Sequence, residues 1–283
     1  MGIRIITDST SYINKEFVER YNIKVISLNV TMDGKSYREQ DLDNSTFYDI
    51  IDKNAEIPKS SQPSMDEALN AFESAAKAGD DIVGIFLSSD MSGTYSTANL
   101  IKDMVLKDYP DAKIAIVDSK TNCMELGFQV LQAARAAEKG KTIEEIIKIC
   151  EVTKKNSRFL FIPETLKYLK KGGRIGNAAA LLGSIFQIKP ILTVEDGKTT
   201  VFDKVRTTKK AVSVMIEKVI TDTKDKKIGE IVVHHINCRE KAIELSNILK
   251  DKFNIKIEIQ DIGPVIGLHV GPGCVGIAYY TND

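Results

Sequence analysis

Tryptophan is absent from this 283-residue chain, histidine occurs three times and cysteine four times. Cys123, Cys150, Cys238 and Cys274 stand far apart and form no Cys-x-x-Cys pair, so a Cys/His zinc cluster is not expected. Reduced thiols in a cytoplasmic protein are the expectation instead. Charge of either sign is not in excess. Lys+Arg and Asp+Glu are 39 each, which leaves a formal net charge of zero and argues against a dedicated nucleic-acid or anionic-membrane surface, a local basic patch apart. No apolar run reaches the roughly 18 residues that a membrane span needs. The opening Gly2-Ile3-Arg4-Ile5-Ile6-Thr7-Asp8 passes straight into polar residues, unlike a signal peptide. The Walker A, protein-kinase, His-Glu-x-x-His and Gly-x-Ser-x-Gly patterns are all missing. No metal and no cofactor is therefore expected.

What is present suits an ordinary globular protein long enough to bury a core and still enclose a cavity: 43% of residues are apolar and 28% charged. Ile3–Ile6, Ile23–Val30, Asp81–Leu87 and Lys113–Asp118 read as strands, the last two apolar enough to be buried on both faces of a parallel sheet. Strand, polar loop and helix follow one another at least three times, the mark of a parallel α/β layer. Ile57–Ser64 reads as a proline-flanked loop, with Ser64 and Glu67 spaced as a capping box for the helix that follows. Beyond about residue 157 the pattern changes. A strand at Phe159–Ile162, a short helix at Glu164–Lys170 and a small-residue helix at Ala178–Ile188 precede a hairpin about Asp196-Gly197. A helix at Ala211–Val219, a strand at Ile228–His235, a helix at Arg239–Phe253 and strands at Ile255–Ile262 and Cys274–Tyr280 complete the chain. The expected fold is α/β with two domains: an N-terminal parallel sheet with flanking helices over residues 1–157, and a C-terminal mixed-sheet domain over 158–283.

Open α/β sheets bind ligands beyond the carboxyl ends of their strands. There this sequence places Thr7-Asp8-Ser9-Thr10, Ser88 to Thr94 and Asp118-Ser119, with Ser60-Ser61 just ahead of a helix. Hydroxyls and helix N-termini suit a carboxylate or phosphate, although each loop taken singly also reads as helix capping. Asp8 fits a general base or metal ligand, or a loop-organising Asx residue. Gly172-Gly173-Arg174-Ile175-Gly176 lacks the Gly-Lys-Ser/Thr ending of a phosphate loop and reads either as a helix stop with a solvated arginine or as an arginine that holds an anion. His269 lies in the glycine-rich Gly263–Gly273 stretch, read as a tight turn. There it either donates to an oxyanion or bonds to backbone. His234 and His235 end a strand and read as core. The chain offers an anion site without an evident catalytic engine.

Thr7-Asp8-Ser9, Ser60-Ser61-Gln62-Pro63-Ser64, Ser88-Ser89 with Ser92-Gly93-Thr94-Tyr95, Gly173-Arg174-Ile175 and Leu268-His269-Val270-Gly271-Pro272-Gly273 together resemble the DegV family, in its order, from residue 3 to about 280. The resemblance implies two α/β domains with a lipid between them, and a protein that binds a long-chain fatty acid rather than an enzyme. It implies that the acyl chain lies in an apolar tunnel. The carboxylate then meets Ser60 (where the family often has Thr), Ser61 and Ser92, with Gly93, Thr94 and His269 in support. Some members, the FakB type, present the fatty acid to a separate kinase, FakA, which makes an acyl phosphate from ATP. On that pattern Arg174, and Arg206 within the basic Lys204–Lys210 stretch, face the phosphate or the kinase, while Asp8 is structural. Transient membrane contact stays open. The alternative is a small-molecule phosphotransferase or hydrolase built on Asp8, Ser92, Arg174 and His269. The physics fits the carrier, since each buried methylene contributes roughly 0.8 kcal/mol and a buried carboxylate must be hydrogen-bonded, while the enzyme lacks a nucleotide loop and a metal cluster.

Overall fold

The computed structural model describes residues 2–53, 58–183 and 188–282. The first half runs β1 (Ile3–Asp8), α1 (Lys15–Arg20), β2 (Lys24–Ile26), β3 (Asn29–Met32), β4 (Lys35–Arg38), α2 (Asn44–Lys53), β5 (Lys59–Ser61), α3 (Met65–Lys77) and β6 (Asp81–Phe86). It continues with α4 (Thr94–Asp108), β7 (Ile114–Asp118), α5 (Cys123–Glu138) and α6 (Ile143–Asn156). The second half runs β8 (Ser157–Ile162), α7 (Lys167–Lys171), β9 (Lys189–Glu195), β10 (Lys198–Val205), α8 (Thr208–Asp222), β11 (Lys227–His235), α9 (Arg239–Phe253), β12 (Glu258–Asp261), α10 (Pro264–Val270) and β13 (Val275–Asn282).

The expected α/β architecture forms. One sheet is parallel, in the order β2-β1-β6-β7, and one is mixed, in the order β10-β9-β8-β13-β11-β12, with β11 and β12 its parallel pair. Both sheets are covered on both faces, and strand alternation explains how. In β6, Ile82 and Phe86 pack with the alanine stripe of α3 and with α4, while Val83 and Ile85 point to the opposite core. In β8, Phe159 and Phe161 join that same opposite core, while Leu160 and Ile162 pack with α8 and α9. The space between the sheets is filled by α5, which is buried from Cys123 to Leu131 and touches strands of both. Its Arg135 pairs with Glu230 at 2.7 Å, and its Met124 N–H donates to His234 Nε2 at 3.2 Å.

Several local expectations change. Ile23–Val30 is two strands rather than one. Ser27 donates its N–H to Glu67 and accepts from Gln40 N–H, so the chain leaves the parallel sheet and enters a three-stranded sheet ordered β4-β3-β5. Lys59–Ser61 is strand instead of loop, because β3 supplies a distant partner, with Val30 opposite Ser60. Ser64 caps α3 through Glu67 N–H, but the Glu67 carboxylate turns to Ser27 and Arg38 instead of closing the box. A reciprocal box, Thr142 with Glu145, does start α6, a helix the sequence reading lacks. The expected helix at Ala178–Ile188 is a 3-10 segment, Gly176–Leu181, and residues 184–187 of that reading lie outside the described residues. Gly263–Gly273 is no tight turn: it holds α10, with Pro264 preset at the first helical position and Gly271, at φ +90°, ending it.

Candidate functional site

Four segments meet at a cavity of about 260 Å³. Sheet pairing with β3 holds Ser60 and Ser61 at its rim. The loop after β6 brings Met91, Ser92 and Gly93; it is fixed by Met91 and Ser92 N–H groups donating to Ser88 O at 2.9 and 3.1 Å. The end of α7 brings Arg174. Gly173 takes φ +69° there, and Arg174 N–H donates back to Leu169 O, so the chain turns sharply off the helix. The last turn of α10 brings His269. Behind this polar rim the walls are mostly apolar, with buried Asn122 and Thr199 among them: Leu28 and Leu87 from the first half, Phe159, Phe161 and Val194 from the mixed sheet, and Val265 and Ile266 from α10.

Ser60 Oγ and His269 Nε2 are 2.8 Å apart, and which atom donates depends on the ring tautomer. Burial, with Arg174 adding to it, pushes His269 down to about 4, so the ring is neutral at pH 7. Its Nδ1 is buried with no hydrogen-bond partner among the described residues. The ring reaches its place because position 172 is glycine: a Cβ there would stand 2.2 Å from His269 Nδ1. The Arg174 guanidinium brackets two loops, donating to Met91 O at 3.0 Å and Gly172 O at 2.7 Å. Gly93 is the N-cap of the fifteen-residue α4, so the positive end of that helix faces the rim beside Ser92. The arrangement can hydrogen-bond one small anionic group and bury an apolar extension behind it.

Ser60, Ser61, Ser92, Gly93, Arg174 and His269 all line this cavity. Thr94 does not: it is buried and its hydroxyl lies 2.9 Å from Ser92 Oγ, so it braces a lining residue instead. Arg206 is exposed and outside the cavity, as are its basic neighbours Lys204, Lys209 and Lys210. Asp8 is also elsewhere, its carboxylate accepting from Thr10 N–H, Thr10 Oγ1 and Leu87 N–H. That is the loop-organising role, and burial raises its carboxyl to about 6. Gln62, Asn122 and Cys274 line the cavity although they were not singled out. Gln62 sits over Gly93, where a Cβ would come within 2.6 Å of its Nε2. Asn122 ends the loop after β7, so the strand-end rule that selected the other loops also reaches it. No metal-holding group of three His, Cys, Asp or Glu side chains occurs among the described residues.

A family model described as "Uncharacterised protein, DegV family" matches residues 2–282. A DegV domain-containing protein of Clostridium acetobutylicum is 53% identical over 282 residues, which cover 100% of this chain and 99% of that protein. Among solved structures, the fold is similar to DegV of Bacillus subtilis, described as a fatty acid binding protein. That likeness has a TM-score of 0.90 and 35% identity and covers 100% of both chains. A DegV family protein from Thermus thermophilus, described for its fatty acid binding, gives a TM-score of 0.91 at 26% identity, again over 100% of both chains.

Proposed function

The chain belongs to the DegV family, and we propose that it binds one long-chain fatty acid, tail in the apolar cavity and carboxylate on the rim. One observation carries the reading: Ser60 and His269 are hydrogen-bonded at the edge of a cavity whose depth is mostly apolar. Ser61, Ser92 and the α4 N-terminus, with Gly93 at its cap, complete the head-group site, and Thr94 holds Ser92 in place. The same proposal sets the domain boundary after residue 157 with the lipid between the halves. Its support is that the cavity takes Ser60 and Ser92 from one side and Phe159, Arg174 and His269 from the other. Four free thiols suit a reducing cytoplasm.

The finer part of the proposal is that the protein presents the fatty acid to a separate kinase of the FakA type. Arg174 would meet the acyl phosphate, and Arg206 with its exposed basic neighbours would meet the kinase. The enzyme alternative needed Asp8 beside Ser92 and His269, and Asp8 is committed to Thr10 and Leu87. Mass spectrometry of an organic extract of the purified protein tests the main reading. A C14–C18 fatty acid near one per chain is expected. An empty protein that also fails to take up added fatty acid overturns the reading, and ATP turnover by the chain alone would revive the enzyme.

A further inference from the structure

Glu39 follows β4 in a 3-10 turn and is pressed into the junction between the two halves of the chain, 4% exposed. No lysine or arginine is within ion-pair distance of it among the described residues. Its donors are the Ser9 hydroxyl, the Tyr12 hydroxyl at 2.8 Å and, 226 residues on, Val265 N–H at 2.9 Å. Val265 is the second residue of α10, where N–H groups have no partner within the helix. Pro264 before it carries no N–H, and Ile266 N–H after it lies 3.4 Å from the Tyr12 hydroxyl. Glu39 and Tyr12 together therefore cap α10 from the other half of the chain. Gly263 leaves the room: a Cβ there would stand 2.7 Å from Glu39 Oε1.

The helix so capped is seven residues long, and His269 lies four residues after Val265, one turn away. Neither Glu39 nor Tyr12 lines the cavity, while Val265, Ile266 and His269 do. Burial of a carboxylate without a cation is costly, and the Val265 N–H adds to the hydrogen bonds that offset that cost only while α10 stays in place. We propose that Glu39 is the positioning residue for His269, setting where the imidazole meets the ligand head group by capping α10 across the two halves. This rests on the fatty-acid reading.

The test compares stearic acid with its methyl ester on the full-length protein, for wild type, Glu39→Ala and Tyr12→Phe, alongside the 15N signal of the His269 ring. Wild type is expected to prefer the acid. Loss of a helix cap of this kind should cut that preference about ten-fold in Glu39→Ala and less in Tyr12→Phe. Affinity for the ester should stay near the wild-type value, and the His269 signal should move in both variants. A general loss of packing would weaken acid and ester alike, which would overturn the inference, as would an unchanged preference with an unchanged His269 signal. Should Glu39→Ala fail to fold, Tyr12→Phe decides by the same two readouts. If wild type binds neither lipid the fatty-acid reading falls, and the His269 signal alone then decides the positioning.

Discussion

Gly172 and His269 fit each other as surface and ring: the imidazole lies where a side chain at 172 would begin, with 2.2 Å between Nδ1 and the position of a Cβ. Gly172 itself has φ −78°, which any residue adopts. Gly172→Ala is therefore a steric probe of the ring's place rather than a backbone defect. It should displace His269 from Ser60 and reduce fatty-acid affinity ten-fold or more, on the order of 1.5–3 kcal/mol. The variant should still unfold cooperatively. Fluorescent-lipid displacement measures the first and a thermal melt the second, and undiminished affinity would mean that the ring does not touch the ligand.

Ser60→Ala and Ser92→Ala separate two kinds of hydroxyl. Ser60 bonds His269 across 209 residues, whereas Ser92 bonds its near neighbour Thr94. Each variant should lose about 1.5–3 kcal/mol of fatty-acid binding if its hydroxyl meets the carboxylate. Ser60→Ala should in addition raise the pH at which His269 titrates, since water enters where the hydroxyl was. A drop in melting temperature at Ser92→Ala with intact lipid affinity would assign Ser92 to loop bracing alone.

Arg174→Ala should keep the fatty acid and fail to support acyl-phosphate formation with a cognate kinase and ATP. A single carboxylate charge is served by hydroxyls, while the added phosphate charge calls for a guanidinium. The guanidinium already stands at the rim, anchored on Met91 O and Gly172 O. Arg174→Lys should not rescue, because an ammonium cannot span both carbonyls and an anion. Full phosphorylation in Arg174→Ala would reduce the residue to a loop bracket.

Glu125, buried in α5, accepts from Thr121 Oγ1 at 2.5 Å. Burial raises its carboxyl from 4.5 to about 7, against the pull of that hydrogen bond. Between those values the folded protein holds a proton that the unfolded chain has released. Stability therefore declines as pH rises through this window, by on the order of 3 kcal/mol once pH exceeds 7. Asp8, raised to about 6, acts in the same sense over a lower range. Glu125→Gln should melt above wild type at pH 8 and close to it at pH 5. Parallel melting curves across pH would show that Glu125 is not the proton carrier.

The parallel layer was legible because strands buried on both faces are almost unbroken apolar runs, as in Asp81–Phe86, and the hairpin was legible because Asp196-Gly197 suits its turn. What stayed hidden depends on distant partners. Ser60 is in a strand only because β3 pairs with it, and nothing near residue 60 announces that. The glycines around His269 suggested a turn, yet two of them serve close approach: Gly267 admits the Tyr48 ring and Gly263 admits Glu39. Of the site, the hydroxyls and His269 could be found by motif, while the caps behind α10 could not, since their roles exist only after the halves meet.

The helix α5 bears on how the proposed lipid would come and go. Met124, Leu126, Phe128, Val130 and Leu131 are shared by the interiors of both sheets. Swinging the sheets apart like a clam would bare these side chains to water at a cost on the order of 10 kcal/mol, far above thermal energy. On the fatty-acid proposal, entry at the rim, between the strand bearing Ser60 and the segments that Arg174 holds with a pair of hydrogen bonds, would leave this core covered. Such a route would make Arg174 a clasp and leave α5 no part as a hinge.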